Sequence, residues 1–200
     1  MLIRSTARSA LASAIVVVAT SLPAAAHPGH GDTGGFVLGF LHPMSGLDHI
    51  LAMVSVGLLA GLLGGRALWA LPLSFMAMMA GGAALAMTGF NLPFVELAIA
   101  LSVIVLGAAV ALQMPLPISA AVAMVGFFAV FHGFAHGAEM PLDASGAKFG
   151  GGFLLATAIL HLAGLAAGFV LGRSASAASV STRVAGGVIA AAGLVLAAAS

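Results

Sequence analysis

Residues 116–137 read LPISAAVAMVGFFAVFHGFAHG, a run without a single Asp, Glu, Lys or Arg that closes on two histidines, with Glu139 just beyond. About 20 apolar residues are enough to cross the ~30 Å hydrocarbon core of a bilayer as a helix. Working outward, the same signature recurs along the chain. Apolar stretches at 36–64, 68–88, 92–112, 116–137, 149–171 and 184–199 are separated by glycine, proline or charged punctuation. The composition agrees: 62% hydrophobic, 6% charged and a mean hydropathy of +1.23, against roughly 25% charged residues in soluble domains. The expected fold class is all-α, a polytopic membrane helical bundle with six transmembrane helices after a signal peptide. A soluble fold is excluded.

The chain divides into three expected regions. Residues 1–26 have the form of a signal peptide, with Arg4 and Arg8 ahead of a short apolar run and Pro23-Ala24-Ala25-Ala26 as a small-residue cleavage site. The alternative is an uncleaved signal anchor, for which the apolar run is short. Cleavage after Ala26 would leave residues 27–35 as a His-containing periplasmic segment and 36–200 as the six-helix domain. The mature N-terminus would then be periplasmic, and the connections carrying Arg66, Arg173 and Arg183 cytoplasmic. The loop with Glu139, Asp143 and Lys148 would be periplasmic, as the positive-inside rule requires. The expectation is a multi-pass protein of the bacterial inner membrane with both mature termini periplasmic.

With a net charge of +1 and no basic run, nothing suggests nucleic-acid binding. The absence of cysteine removes disulfides, thiolate metal sites and cysteine nucleophiles. Gly57, Gly61 and Gly65, like Gly164, Gly168 and Gly172, repeat every four residues, the spacing that lets membrane helices pack closely. The ten methionines are scattered without a ligand spacing and read as packing residues.

An ionisable group inside a span costs about 2.5–3.5 kcal/mol on insertion scales, so each one needs a partner or a purpose. In the fourth span His132, His136 and Glu139 stand at i, i+4 and i+7. They share one helix face, where neighbours can bind one ion. In the first, His42, Asp48 and His49 occur together. His42 and His49 would be about 10 Å apart along a regular helix, so either the helix breaks at Pro43 or there are two successive sites. Glu96 lies in the third span. By topology all seven residues belong to the periplasmic half: His42, Asp48 and His49 as an entrance, His132, His136 and Glu139 as the facing half, and Glu96 for charge neutralisation or proton exchange. His161 sits deeper in the fifth span, either as a further stop on a path or as an imidazole bonded to a backbone carbonyl. At the expected mature N-terminus, His27 and His30 form either a metal-capture arm or a solvated lead-in.

Imidazole and carboxylate without thiolate suit borderline divalent ions such as Ni²⁺, Co²⁺ and Zn²⁺ better than Cu(I), Mg²⁺ or Ca²⁺. Spacing does not choose among the three. No Gly-Lys-Ser/Thr nucleotide motif is present, which argues against ATP hydrolysis on this chain.

His42-Pro43-x-x-Gly46-x-Asp48-His49 followed by Phe131-His132-Gly133-x-Ala135-His136-Gly137-x-Glu139 resembles the HupE/UreJ family of nickel and cobalt permeases, and the resemblance runs the length of the chain. It implies secondary uptake of Ni²⁺ or Co²⁺ as transported substrate, with no prosthetic group, supplying hydrogenase, urease or cobalamin pathways. The alternative is an intramembrane zinc-dependent hydrolase, with water activated by Glu139 or Asp48; a bis-histidine haem carrier is a third class. The carrier is favoured because Glu96 and motifs on several spans suit a path better than a single catalytic centre.

Overall fold

A computed structural model describes residues 34–140, 145–171 and 177–199. The expected signal peptide, the 27–35 segment up to residue 33 with His27 and His30, and the loop residue Asp143 lie outside the described residues. Those described form seven α-helices and no strand: α1 Gly34–Ser45, α2 Leu47–Leu63, α3 Ala67–Met87, α4 Val95–Ala111, α5 Ile118–Ala138, α6 Gly146–Leu171 and α7 Ala177–Ala199. The chain is an all-helical, multi-pass membrane protein.

The expected first span, 36–64, is two helices that meet at 84°. The break falls at Gly46, three residues beyond Pro43, which remains inside α1. Local chemistry accounts for its position. The Ser45 hydroxyl donates to the His42 carbonyl at 2.6 Å, satisfying one of the acceptors left over at a helix end. Gly46 then turns extended, with φ −103° and ψ 122°, and the Ile50 N–H bonds its carbonyl at 3.1 Å to start α2.

Among the described residues, helices α3, α5, α6 and residues Val180–Ala199 of α7 are each long and apolar enough to cross a membrane, and the bent α1–α2 pair makes a fifth candidate. The expected third span is shorter than its apolar run suggested: α4 has 17 residues, about 25 Å of helix at 1.5 Å per residue. It starts only after Phe94, whose φ of 60° is left-handed.

Helix α2 lies at the centre, with Ala52, Met53, Val56, Leu59 and Ala60 fully buried. Around it, α1 and α2 pack on α6, α3 packs on α5, and α4 packs on α7. Glycines allow each of these approaches. A Cβ on Gly57 would overlap the His161 carbonyl, one on Gly164 the Val54 carbonyl, one on Gly39 the Phe149 carbonyl, and one on Gly133 the Met79 carbonyl. Of the repeats read from sequence, Gly57 and Gly164 therefore do the tightest packing, whereas Gly65 adopts φ 51° in the α2–α3 turn and has nothing near it. The outer surface carries Trp69, Leu73, Phe127, Leu162 and Val188, all more than half exposed, as lipid-facing positions should be.

Gly164→Val should push α6 off α2 and lower stability by about 1–3 kcal/mol, the usual cost of overpacking. Gly150→Ala, where a Cβ meets nothing within 4 Å, should leave it unchanged. Thermal melting of the detergent-solubilised protein distinguishes the two.

Candidate metal centre

The bend at Gly46 places two histidines from one sequence motif on either side of a third. His42 projects from the last turn of α1, and His49 from the first turn of α2. His136, from the last turn of α5, stands between them, its ring centroid 4.8 Å from that of His42 and 4.2 Å from that of His49. One helical turn earlier on α5, His132 meets His49 edge-on at 4.8 Å. Four imidazoles thus form a continuous series: His42, His136, His49, His132.

At the outer end of the series a ligand set assembles. Glu139, the C-cap residue of α5, brings its Oε2 to 3.3 Å from His42 Nε2. One ligand atom each from His42, His136 and Glu139 lies within 4.8 Å of the others, close enough to converge on a single ion with small side-chain adjustments. Its side chains grade from wet to dry: Glu139 is 63% and His42 26% exposed, whereas His136 is buried.

Deeper in, neighbouring groups select which nitrogen of His49 and of His132 is free. Asp48 Oδ1 lies 2.7 Å from His49 Nδ1 and accepts the His49 backbone N–H at 2.7 Å. A carboxylate only accepts, so Nδ1 carries a proton, and in the neutral ring Nε2 is the nitrogen with the lone pair; that Nε2 is buried and unpartnered. Ser102 of α4 does the same for His132. With its hydroxyl proton on the Ile99 carbonyl at 2.6 Å, the oxygen, 2.8 Å from His132 Nε2, is placed to accept, and in that tautomer Nδ1 has the lone pair. His132 Nδ1 is likewise buried without a partner, as are both ring nitrogens of His136. An imidazole with one nitrogen held by an acceptor and the other bare is the arrangement seen behind metal-binding histidines.

The structure brings six of the seven expected residues together, but only His42, His136 and Glu139 converge on one point. Of the α5 trio, His136 and Glu139 join His42, while His132 faces His49 and Ser102. Asp48 is turned onto His49. Glu96 stands apart: it is exposed in the first turn of α4 and outside the convergent group. His161 is buried in α6, with its ring 5.2 Å from that of Phe75. Three neighbours escaped the sequence reading. Ser102 carries no motif, and Phe75 and Phe153, whose rings meet those of His132 and His136 at a tilt, 5.5 and 4.2 Å away, are two of twelve phenylalanines.

Comparison with known proteins agrees with the motifs. The family model described as HupE / UreJ protein matches residues 15–196. The chain belongs to the HupE/UreJ family. It is also 46% identical over 181 residues to Protein HupE of Rhizobium leguminosarum bv. viciae, covering 90% of this chain and 94% of that protein. No solved structure matches. Both HupE/UreJ motifs quoted from the sequence therefore meet in space, on the α1–α2 elbow and the end of α5.

If Ser102 holds the His132 tautomer, Ser102→Ala should weaken Ni²⁺ binding by about tenfold or more, as loss of an outer partner at a metal site does. Equilibrium dialysis of the purified protein measures this. Unchanged affinity would assign Ser102 to packing alone.

Proposed function

We propose that this HupE/UreJ protein is a secondary transporter that carries a divalent transition metal ion, Ni²⁺ or Co²⁺, from the periplasm to the cytoplasm. The observation that carries the reading is the convergence of His42, His136 and Glu139 ligand atoms within 4.8 Å, continued inward by His49 and His132. Two imidazoles and a carboxylate match borderline divalent ions. The exposed Glu139 and partly buried His42 can exchange water for an arriving ion, and the buried imidazoles behind them replace its hydration shell. A file of closely spaced sites, each with few ligands, lets an ion enter without being trapped.

In this reading the bent α1–α2 pair is the first of six spans, and α4 the third. The elbow and the end of α5 face the periplasm, with both mature termini on that side. The broken first span follows a pattern common in transporters, where non-helical backbone is tolerated at membrane depth because it lines a site within the bundle. Asp48 orients His49 and offsets the ion's charge. Glu96, at the same membrane face by topology, supplies charge neutralisation or proton exchange. His27 and His30, at the mature N-terminus, deliver metal to the entrance. Family membership lends no support to the zinc-hydrolase alternative.

Uptake of radioactive nickel into vesicles containing the purified protein tests the proposal, with cobalt and zinc as competitors. Wild-type protein should accumulate nickel, with cobalt competing better than zinc. His136→Ala should abolish accumulation while inserting normally. Wild-type uptake by His136→Ala, or none by the unmodified protein, would overturn it.

A further inference from the structure

Two polar side chains on α6 take no part in the centre described above. Thr157 and His161 are four residues apart and share a face of the helix. Thr157 is fully buried and His161 is 2% exposed. Thr157 Oγ1 and both ring nitrogens of His161 have no hydrogen-bond partner among the described residues. Buried polar groups are nearly always paired, and an exception calls for an explanation. The bland alternative for His161, an imidazole bonded to a backbone carbonyl, is not the arrangement found. Nor does Thr157 turn its hydroxyl back to the preceding helical turn, the usual refuge for threonine in an apolar helix.

Their position supplies a reason. His161 sits where α6 meets α2, its own carbonyl against Gly57. Its ring stands edge-on to Phe75 of α3, at 5.2 Å and 84°. The same Phe75 ring, fully buried, lies 5.5 Å from His132, the inner end of the imidazole series. His161 is thus the next imidazole after His132, reached past one aromatic ring.

We propose that His161 and Thr157 form a second, inner binding site for the transported cation. The proposal rests on the carrier reading above and extends it beyond the periplasmic centre. The site offers one imidazole nitrogen and one hydroxyl oxygen, with water completing the shell. That set accepts a borderline divalent ion. It is poor for Mg²⁺ or Ca²⁺, which need several charged or carbonyl oxygens. With only two protein ligands and no carboxylate, it holds the ion more weakly than the His42–His136–Glu139 group, as an onward site should.

The test is Ni²⁺ binding to the purified full-length protein by equilibrium dialysis, paired with radioactive nickel uptake in vesicles, for wild type, His161→Leu, His161→Gln and Thr157→Val. Wild type should bind a second, weaker ion. His161→Leu should lose that ion, keep the affinity of the first, and take up nickel at least about tenfold more slowly, in line with losing a partner at a metal site. Thr157→Val should weaken the second ion without removing it. Should His161→Leu fail to accumulate, His161→Gln, which keeps a polar side chain, is judged on the same ion count. If wild type transports nickel but binds a single ion, or if the position-161 variants match its ion count and uptake, the inner site is wrong and the carrier reading stands. If wild type neither binds nor transports nickel, both fail.

Discussion

The arrangement depends on the break at Gly46, where a larger residue would have to displace the Asp48 and His49 side chains from their present positions. A Cβ on Gly46 would come 2.6 Å from Asp48 Oδ1 and 2.9 Å from His49 Nδ1, because those two groups fold back over the chain where α1 gives way to α2. With glycine there, the helix axis turns by 84°. His42 and His49 then reach His136 from two directions. A straight helix would hold them about 10 Å apart along its axis, and the cluster would fall into two unrelated halves. The elbow also places the first N–H groups of α2 beside Asp48, where the helix dipole favours a negative charge.

Close helix contacts convert that local geometry into a dry site. Gly133 and Gly137 let α5 approach α3 until their Cα atoms meet the Met79 and Ala83 backbone, while Gly39 and Gly152 bring α1 against α6. Large side chains at these positions would separate the helices and admit lipid or water. Instead, His132 and His136 are buried against Phe75 and Phe153. A buried imidazole nitrogen without a partner carries a desolvation cost, which a cation bound there would offset. Ser102 and Asp48 matter because they decide which nitrogen is left bare.

Much of this was legible in the sequence because helical periodicity is local. The i, i+4 spacing of His132 and His136, with Glu139 a turn beyond, places them on one face whatever surrounds the helix. The apolar runs likewise gave helices at close to their expected positions. Tertiary relations were less accessible. That the first span breaks at Gly46, three residues beyond Pro43, follows from side chains folding over the glycine, which spacing does not encode. Ser102 reads like any serine in an apolar helix, as Ser55 does, and only its distance to His132 singles it out. Glu96 was expected at the same depth as the other carboxylates, for charge neutralisation or proton exchange. Its exposure follows from Phe94, whose left-handed backbone delays the start of α4 and leaves Glu96 in the opening turn.

One ion held among His42, His136 and Glu139 would bridge the two motifs. X-ray absorption at the nickel edge of the Ni²⁺-loaded protein, with sub-stoichiometric metal, reports that coordination directly. The expected spectrum shows multiple scattering from two imidazoles with oxygen filling the remaining positions and no sulfur, and loss of one imidazole in His42→Ala. A nickel spectrum without imidazole scattering, or one unchanged by His42→Ala, would contradict it.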